Sequence, residues 1–96
     1  MIVGIAYVLL EIPEAASLKD KRRVVRSAVE RARQRFNAGV AEVDHLQEWN
    51  LAGIGITCVS NSAAHADQML AAVIAFIEHA AFPAFIADVS TETMHV

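Results

Sequence analysis

The first ten residues, MIVGIAYVLL, carry no charge, and Glu11 ends the run. A bilayer span needs about 20 apolar residues, so this segment is far too short to cross one. It also lacks the basic start and small-residue cleavage site of a secretory leader. Read as a strand, Ile2, Ala6, Val8, Leu10 and Ile12 point one way, and Val3, Ile5, Tyr7 and Leu9 the other. Both sets are apolar, so the strand belongs at the centre of a sheet with both faces covered. Pro13 removes a ladder donor and stops it.

The next segment is helical. Ser17 and Asp20 resemble a capping box with aspartate in place of glutamate. Behind them Leu18, Val25, Val29, Ala32 and Phe36 recur on one face of a helix of about five turns, and Asn37 and Gly39 supply its exit. Residues 39–44 read as a short strand, HLQE as a turn, and 49–60 as a longer strand. That longer strand is again apolar on both faces, with Leu51 and Val59 on one and Ile54, Ile56 and Cys58 on the other. The residues SNS offer three caps for a second helix ending near His79, with an inner stripe of Ala66, Met69, Leu70, Val73 and Ile77. Its outward side is rich in alanine, at 64, 71, 72 and 75. After Pro83, residues 84–94 form a last, more polar strand.

The order β-α-β-β-α-β, with right-handed crossovers, gives an α+β, ferredoxin-like domain over residues 1–96. It is a four-stranded antiparallel sheet with two helices on one face and strands one and three in the middle. Those are the two strands whose patterns already ask for a central place. The helices leave one apolar sheet face open, and a homo-oligomer through that face is the expectation. An RNA platform of stacked aromatics on the central strands is a poor fit, because only Tyr7 is available and strand three offers AGIGITCV.

Charge is segregated. All eight lysines and arginines fall between Ser17 and Phe36, while the chain as a whole has net charge −3. Against Asp20 and Glu30 they give the segment a balance of +6, and the rest of the chain carries −9. At 100° per residue Lys19, Arg22, Arg23, Arg26 and Arg33 share one sector beside the apolar stripe, with Glu30 spaced to pair with Arg26 and Arg33. Lys21, Arg31 and Arg35 lie on the opposite flank. Six of the eight are arginine, whose planar fork suits phosphate oxygens. Those five residues are therefore the candidate nucleic-acid contact, made to backbone since no base-reading motif accompanies them. An acidic protein partner would meet the same ridge, and a regulatory small-molecule binder at a subunit interface is a third reading.

Catalysis and cofactors find no foothold. His45, His65, His79 and His95 lack metal-ligand spacing, and His65 suits local polar contacts at a helix start. Ferredoxin-like metal chaperones use paired cysteines, whereas Cys58 stands alone in a central strand with no basic neighbour. Acylphosphatases share the topology but bind phosphate after strand one through a loop with an arginine; here that loop is EIPEAAS, with two acids. Glu42 and Asp44 alternate onto one side of strand two, as on an exposed edge. Trp49, at a strand entry, is expected to close the core, with a partner anchor as the alternative. A non-enzymatic, cytoplasmic protein without cofactor is the expectation, a single cysteine fitting a reducing compartment.

The stretches SLKDKRRVVRS, RFNAGVAEV and VSNSAAHA, in this order after MIVGIAYVLLEIP, resemble the YlxP-like family of small bacterial proteins of unknown function. The resemblance covers nearly the whole chain and implies a ferredoxin-like fold. Genes of that family often lie among translation and ribosome-maturation factors, which implies an RNA- or ribosome-associated role. The chain departs from the family pattern in two places: Ser62 stands where an acid often follows the asparagine, and VSTE replaces VETE. Each departure removes a carboxylate. The resemblance brings no catalytic residues.

Overall fold

The computed structural model describes residues 1–96, and its elements follow the expected order. They are β1 (Ile2–Glu11), α1 (Leu18–Arg35), β2 (Gly39–Asp44), β3 (Leu51–Ser60), α2 (Ala63–Ala80) and β4 (Phe85–His95). The four strands form one antiparallel sheet in the order β2-β3-β1-β4, so the two strands with apolar residues on both faces are the central pair. This is the ferredoxin-like arrangement, and both ends of β1 and β3 are tied by a continuous ladder from Ile2↔Ser60 to Glu11↔Leu51.

The helices bury one face of that sheet. Val8 and Leu10 of β1 and Ile54 of β3 have no solvent exposure, and Val25, Ala28 and Ala32 of α1 and Leu70, Val73 and Ile77 of α2 close over them. Met69 packs at the margin of this core, half-buried. Ala64, Ala71, Ala72 and Ala75 face outward, as the helical period requires. Gly4 is needed where α2 approaches the sheet, because an added Cβ would sit 3.0 Å from Cys58 Sγ and 3.1 Å from Leu70 Cδ1.

Both helix starts are capped by serine. Ser17 Oγ accepts from Asp20 N at 3.1 Å, and the Asp20 carboxylate reaches back to the Ala16 N–H, one residue earlier than in a standard capping box. Ser62 is the cap of α2 among the three serine and asparagine candidates. The second sheet face stays open. Val3, Tyr7 and Leu9 are half-buried there by their cross-strand neighbours, while Ile5 and Val59 are exposed. No helix is long and apolar enough to cross a membrane.

Two register shifts modify the regular sheet. One lies between Leu9 and Leu10 of β1 against β4, the other between Glu42 and Asp44 of β2 against β3. The second decides where the acids of β2 point.

Candidate nucleic-acid interface

Burial of the stripe Val25–Val29–Ala32 against the sheet turns the opposite side of α1 to solvent, and Lys19, Arg22, Arg23, Arg26 and Arg33 are all exposed. They are not equivalent. Arg23 pairs with Asp20 one turn earlier at 3.3 Å, an exposed contact worth little. Arg33 donates through Nε to the Val40 carbonyl at 2.7 Å, which ties the end of α1 to β2. Glu30 forms no ion pair with Arg26 or Arg33, contrary to what its spacing suggests. Lys19, Arg22 and Arg26 have no carboxylate within 4.0 Å.

The guanidinium groups of Arg22, Arg26 and Arg33 border a shallow groove of about 230 Å³ between α1 and β2. Val25 and Val29 lie at its floor, and Glu30 and Glu42 are its acidic members. Lys19, Arg23 and Arg26 continue the positive surface around the helix onto a second open depression that reaches Arg31. Arg26 belongs to both, so the cations form one band with a short step in it.

Lys21 is not on this surface. It is fully buried, and its Nζ donates to Glu42 Oε2 at 3.0 Å, to the His45 carbonyl at 2.8 Å and to the Leu51 carbonyl at 3.1 Å. Its helical angle falls between those of Ala28 and Val25, inside the buried stripe rather than on a flank. Glu42 is correspondingly no edge acid. The β2 irregularity sends Glu42 to the helix side and Asp44 to the open side, where it accepts from the Tyr7 hydroxyl at 3.1 Å.

Arg31 and Arg35 also have structural duties. Their guanidinium carbons lie 5.7 and 5.4 Å from the centroid of the Phe76 ring of α2. Phe76 in turn meets Phe36 edge to face at 5.6 Å. Sequence periodicity separated these two arginines from the five candidates without revealing what they stack on, since Phe76 lies more than forty residues away.

At the tip between β2 and β3, His45 adopts φ 57°, a left-handed conformation tolerated by few residues other than glycine. Its Nδ1 lies 2.9 Å from Glu48 Oε1, and this contact holds the imidazole above its usual 6.5, helped by Asp44 and opposed by desolvation and Lys21. The Asp44 carboxyl is held below its usual 3.8, first by the His45 N–H and then by the Tyr7 hydroxyl. Desolvation and Asp44 push the Tyr7 phenol above 10, the reverse of an activated nucleophile. Gly53 makes this arrangement possible, because a Cβ there would overlap the Tyr7 hydroxyl and Asp44 Cβ. Trp49 does not close the core; it is exposed beside this tip, just ahead of β3. His65 makes its local contacts, with Ser60 Oγ and Ser62 Oγ, and Cys58 is buried. No group of three or more His, Cys, Asp or Glu side chains is placed to hold a metal ion.

The sequence of residues 3–91 matches the family model described as protein of unknown function DUF503. The chain belongs to the DUF503 family. It is 33% identical over 76 residues to the uncharacterized protein YlxP of Bacillus subtilis strain 168, an alignment covering 79% of this chain and 83% of that protein. Among solved structures, this DUF503 chain superposes on a de novo designed protein with ferredoxin fold at TM-score 0.54 and 9% identity, over 98% of this chain and 83% of the design. The design Foldit4 gives 0.53 at 10% identity, over 100% of this chain and 99% of the design. A C-terminal segment of the alpha subunit of aIF2 from Pyrococcus abyssi gives 0.54 at 14% identity, over 99% of this chain and 51% of that one. At such identities these likenesses concern the ferredoxin-like fold alone.

Proposed function

We propose that this chain is a non-enzymatic, RNA- or ribosome-associated protein that grips phosphate backbone with the outward band of α1. The observation that carries the reading is the concentration of cations in an otherwise acidic chain: Lys19, Arg22 and Arg26 stand exposed on one helix face without a carboxylate partner. A solvated face gains nothing from gathering its cations in one place, and cations near the start of a helix oppose its dipole. A polyanion restores the balance. Arg22, Arg26 and Arg33 around one groove offer planar donors for phosphate oxygens, and Val25 and Val29 beneath them give no means of reading bases. The −9 balance elsewhere would turn the other faces away from RNA, so contact through α1 fixes the orientation.

The test is binding of a fluorescently labelled single-stranded RNA across a salt series. Log affinity should fall with log salt by about 0.7 per phosphate contact, and Arg26→Gln should reduce the slope by about one contact. Binding without salt dependence, or unchanged by Arg26→Gln and Arg22→Gln together, would reject it and direct attention to an acidic protein partner.

A further inference from the structure

The sheet face without helices carries carboxylates along both margins. Cross-strand register places Glu92 beside Ile5 and Asp88 beside Leu9, and Asp44 lies across Gly53 from Leu9. All lysines and arginines belong to α1; Arg33 reaches the β2 edge of this face, where it lines a depression with Ile5, Val43 and Thr57 but pairs with none of these acids. The centre of the face is apolar: Val3, Ile5, Tyr7 and Leu9, extended by Val59 beside Val3. It is an apolar strip between acidic margins.

A second copy's open face does not match both features, because two open faces stacked together bring carboxylates toward carboxylates. The outward band of α1 has the charge, but its apolar residues Val25, Val29 and Ala32 are buried, leaving nothing to cover Ile5 and Val59. We propose that the open face binds a segment of another polypeptide in which lysine or arginine side chains are interleaved with apolar ones. Apolar side chains of such a segment cover Ile5, Leu9 and Val59, and its long cationic side chains reach outward to Asp44, Asp88 and Glu92. The surface is separate from α1, so this inference and the RNA reading stand or fall independently.

The probe is a synthetic peptide of about ten residues alternating lysine and valine, added to the uniformly ¹⁵N-labelled full chain while amide shifts are followed. Matched lysine–serine and glutamate–valine peptides serve as comparisons. Shifts should concentrate on Ile5, Tyr7, Leu9, Thr57 and Ser90, and both comparison peptides should bind more weakly. Asp88→Asn with Glu92→Gln should weaken binding by at least about tenfold. Glu14→Gln with Glu78→Gln makes the same charge change away from the face and should leave affinity within about twofold; thermal unfolding verifies that both double variants are folded. RNA affinity should not fall in either. The proposal is overturned if the two double variants lose affinity equally, if the lysine–serine peptide binds as well, or if no shifts arise at millimolar peptide. It is equally overturned if sedimentation finds a dimer that covers these amides, since a second copy would then be the occupant.

Discussion

The ammonium of Lys21 lies 3.0 Å from Glu42 Oε2, with no solvent exposure on the lysine and 19% on the glutamate side chain. One cation of the basic segment is thus turned inward, joining the first turn of α1 to β2, and through the His45 and Leu51 carbonyls to both ends of the β2–β3 tip. Removing one member of a buried pair leaves the other without compensation.

Lys21→Met should therefore destabilise the fold by about 3 kcal/mol or more, read from urea unfolding. Glu42→Gln keeps an acceptor and should cost less, about 1.5 kcal/mol. A loss below about 0.5 kcal/mol for Lys21→Met, the range of ordinary surface changes, would contradict the buried clamp.

Much of this architecture is written in local pattern. The double-sided apolar alternation of β1 and β3 has only one place to go in a four-stranded sheet, and the stripe Leu18–Val25–Val29–Ala32 fixes which side of α1 meets it. What stayed hidden depends on contacts distant in sequence or on a broken period. Strict alternation puts Glu42 and Asp44 on one side of β2, and a single irregularity separates them. Lys21 sits at an angle that belongs to the buried stripe, but a lysine there reads as exposed until the carbonyls of the β2–β3 tip are in view. Trp49 precedes β3 by two residues and shares the parity of Leu51 on the helix-free face, so its size at a strand entry is no guide to burial. Of the five candidate cations, the helical period placed all on the exposed side; it could not foresee that Arg33 is held by the Val40 carbonyl.

Arg31 and Arg35 should behave as packing residues. Replacing each with glutamine removes its stacking on Phe76 and should cost about 0.5–1 kcal/mol per residue. Phe76→Ala should cost about 3 kcal/mol, because it removes the partner of both arginines and of Phe36. Chemical denaturation measures each. Equal stability of Phe76→Ala and wild type would contradict the contact.

The β2–β3 tip should respond to pH in two directions. His45 is raised above 6.5, so its stabilisation is complete below pH 6.5 and is lost as pH rises through the higher folded value. Asp44 is lowered below 3.8, so its contribution is present above pH 3.8 and is lost as pH falls through the lower folded value. Glu48→Gln should bring the His45 titration, followed by NMR of its ring protons, down toward 6.5. An unchanged titration would show that Glu48 is not its main partner.

The central claim concerns the outward band of α1, and RNA retention by protein purified from cells tests it most directly. The comparison is wild type against Lys19→Gln, Arg22→Gln, Arg23→Gln and Arg26→Gln combined, washed across a salt series, with Arg33 left intact because it secures β2. Arg35→Gln, on the other flank and outside both depressions, controls for loss of positive charge. Wild type and the control should retain RNA at low salt and release it as salt rises, while the fourfold variant, folded by circular dichroism, retains none. Equal retention by the fourfold variant and wild type would contradict the assignment of this helix face to RNA.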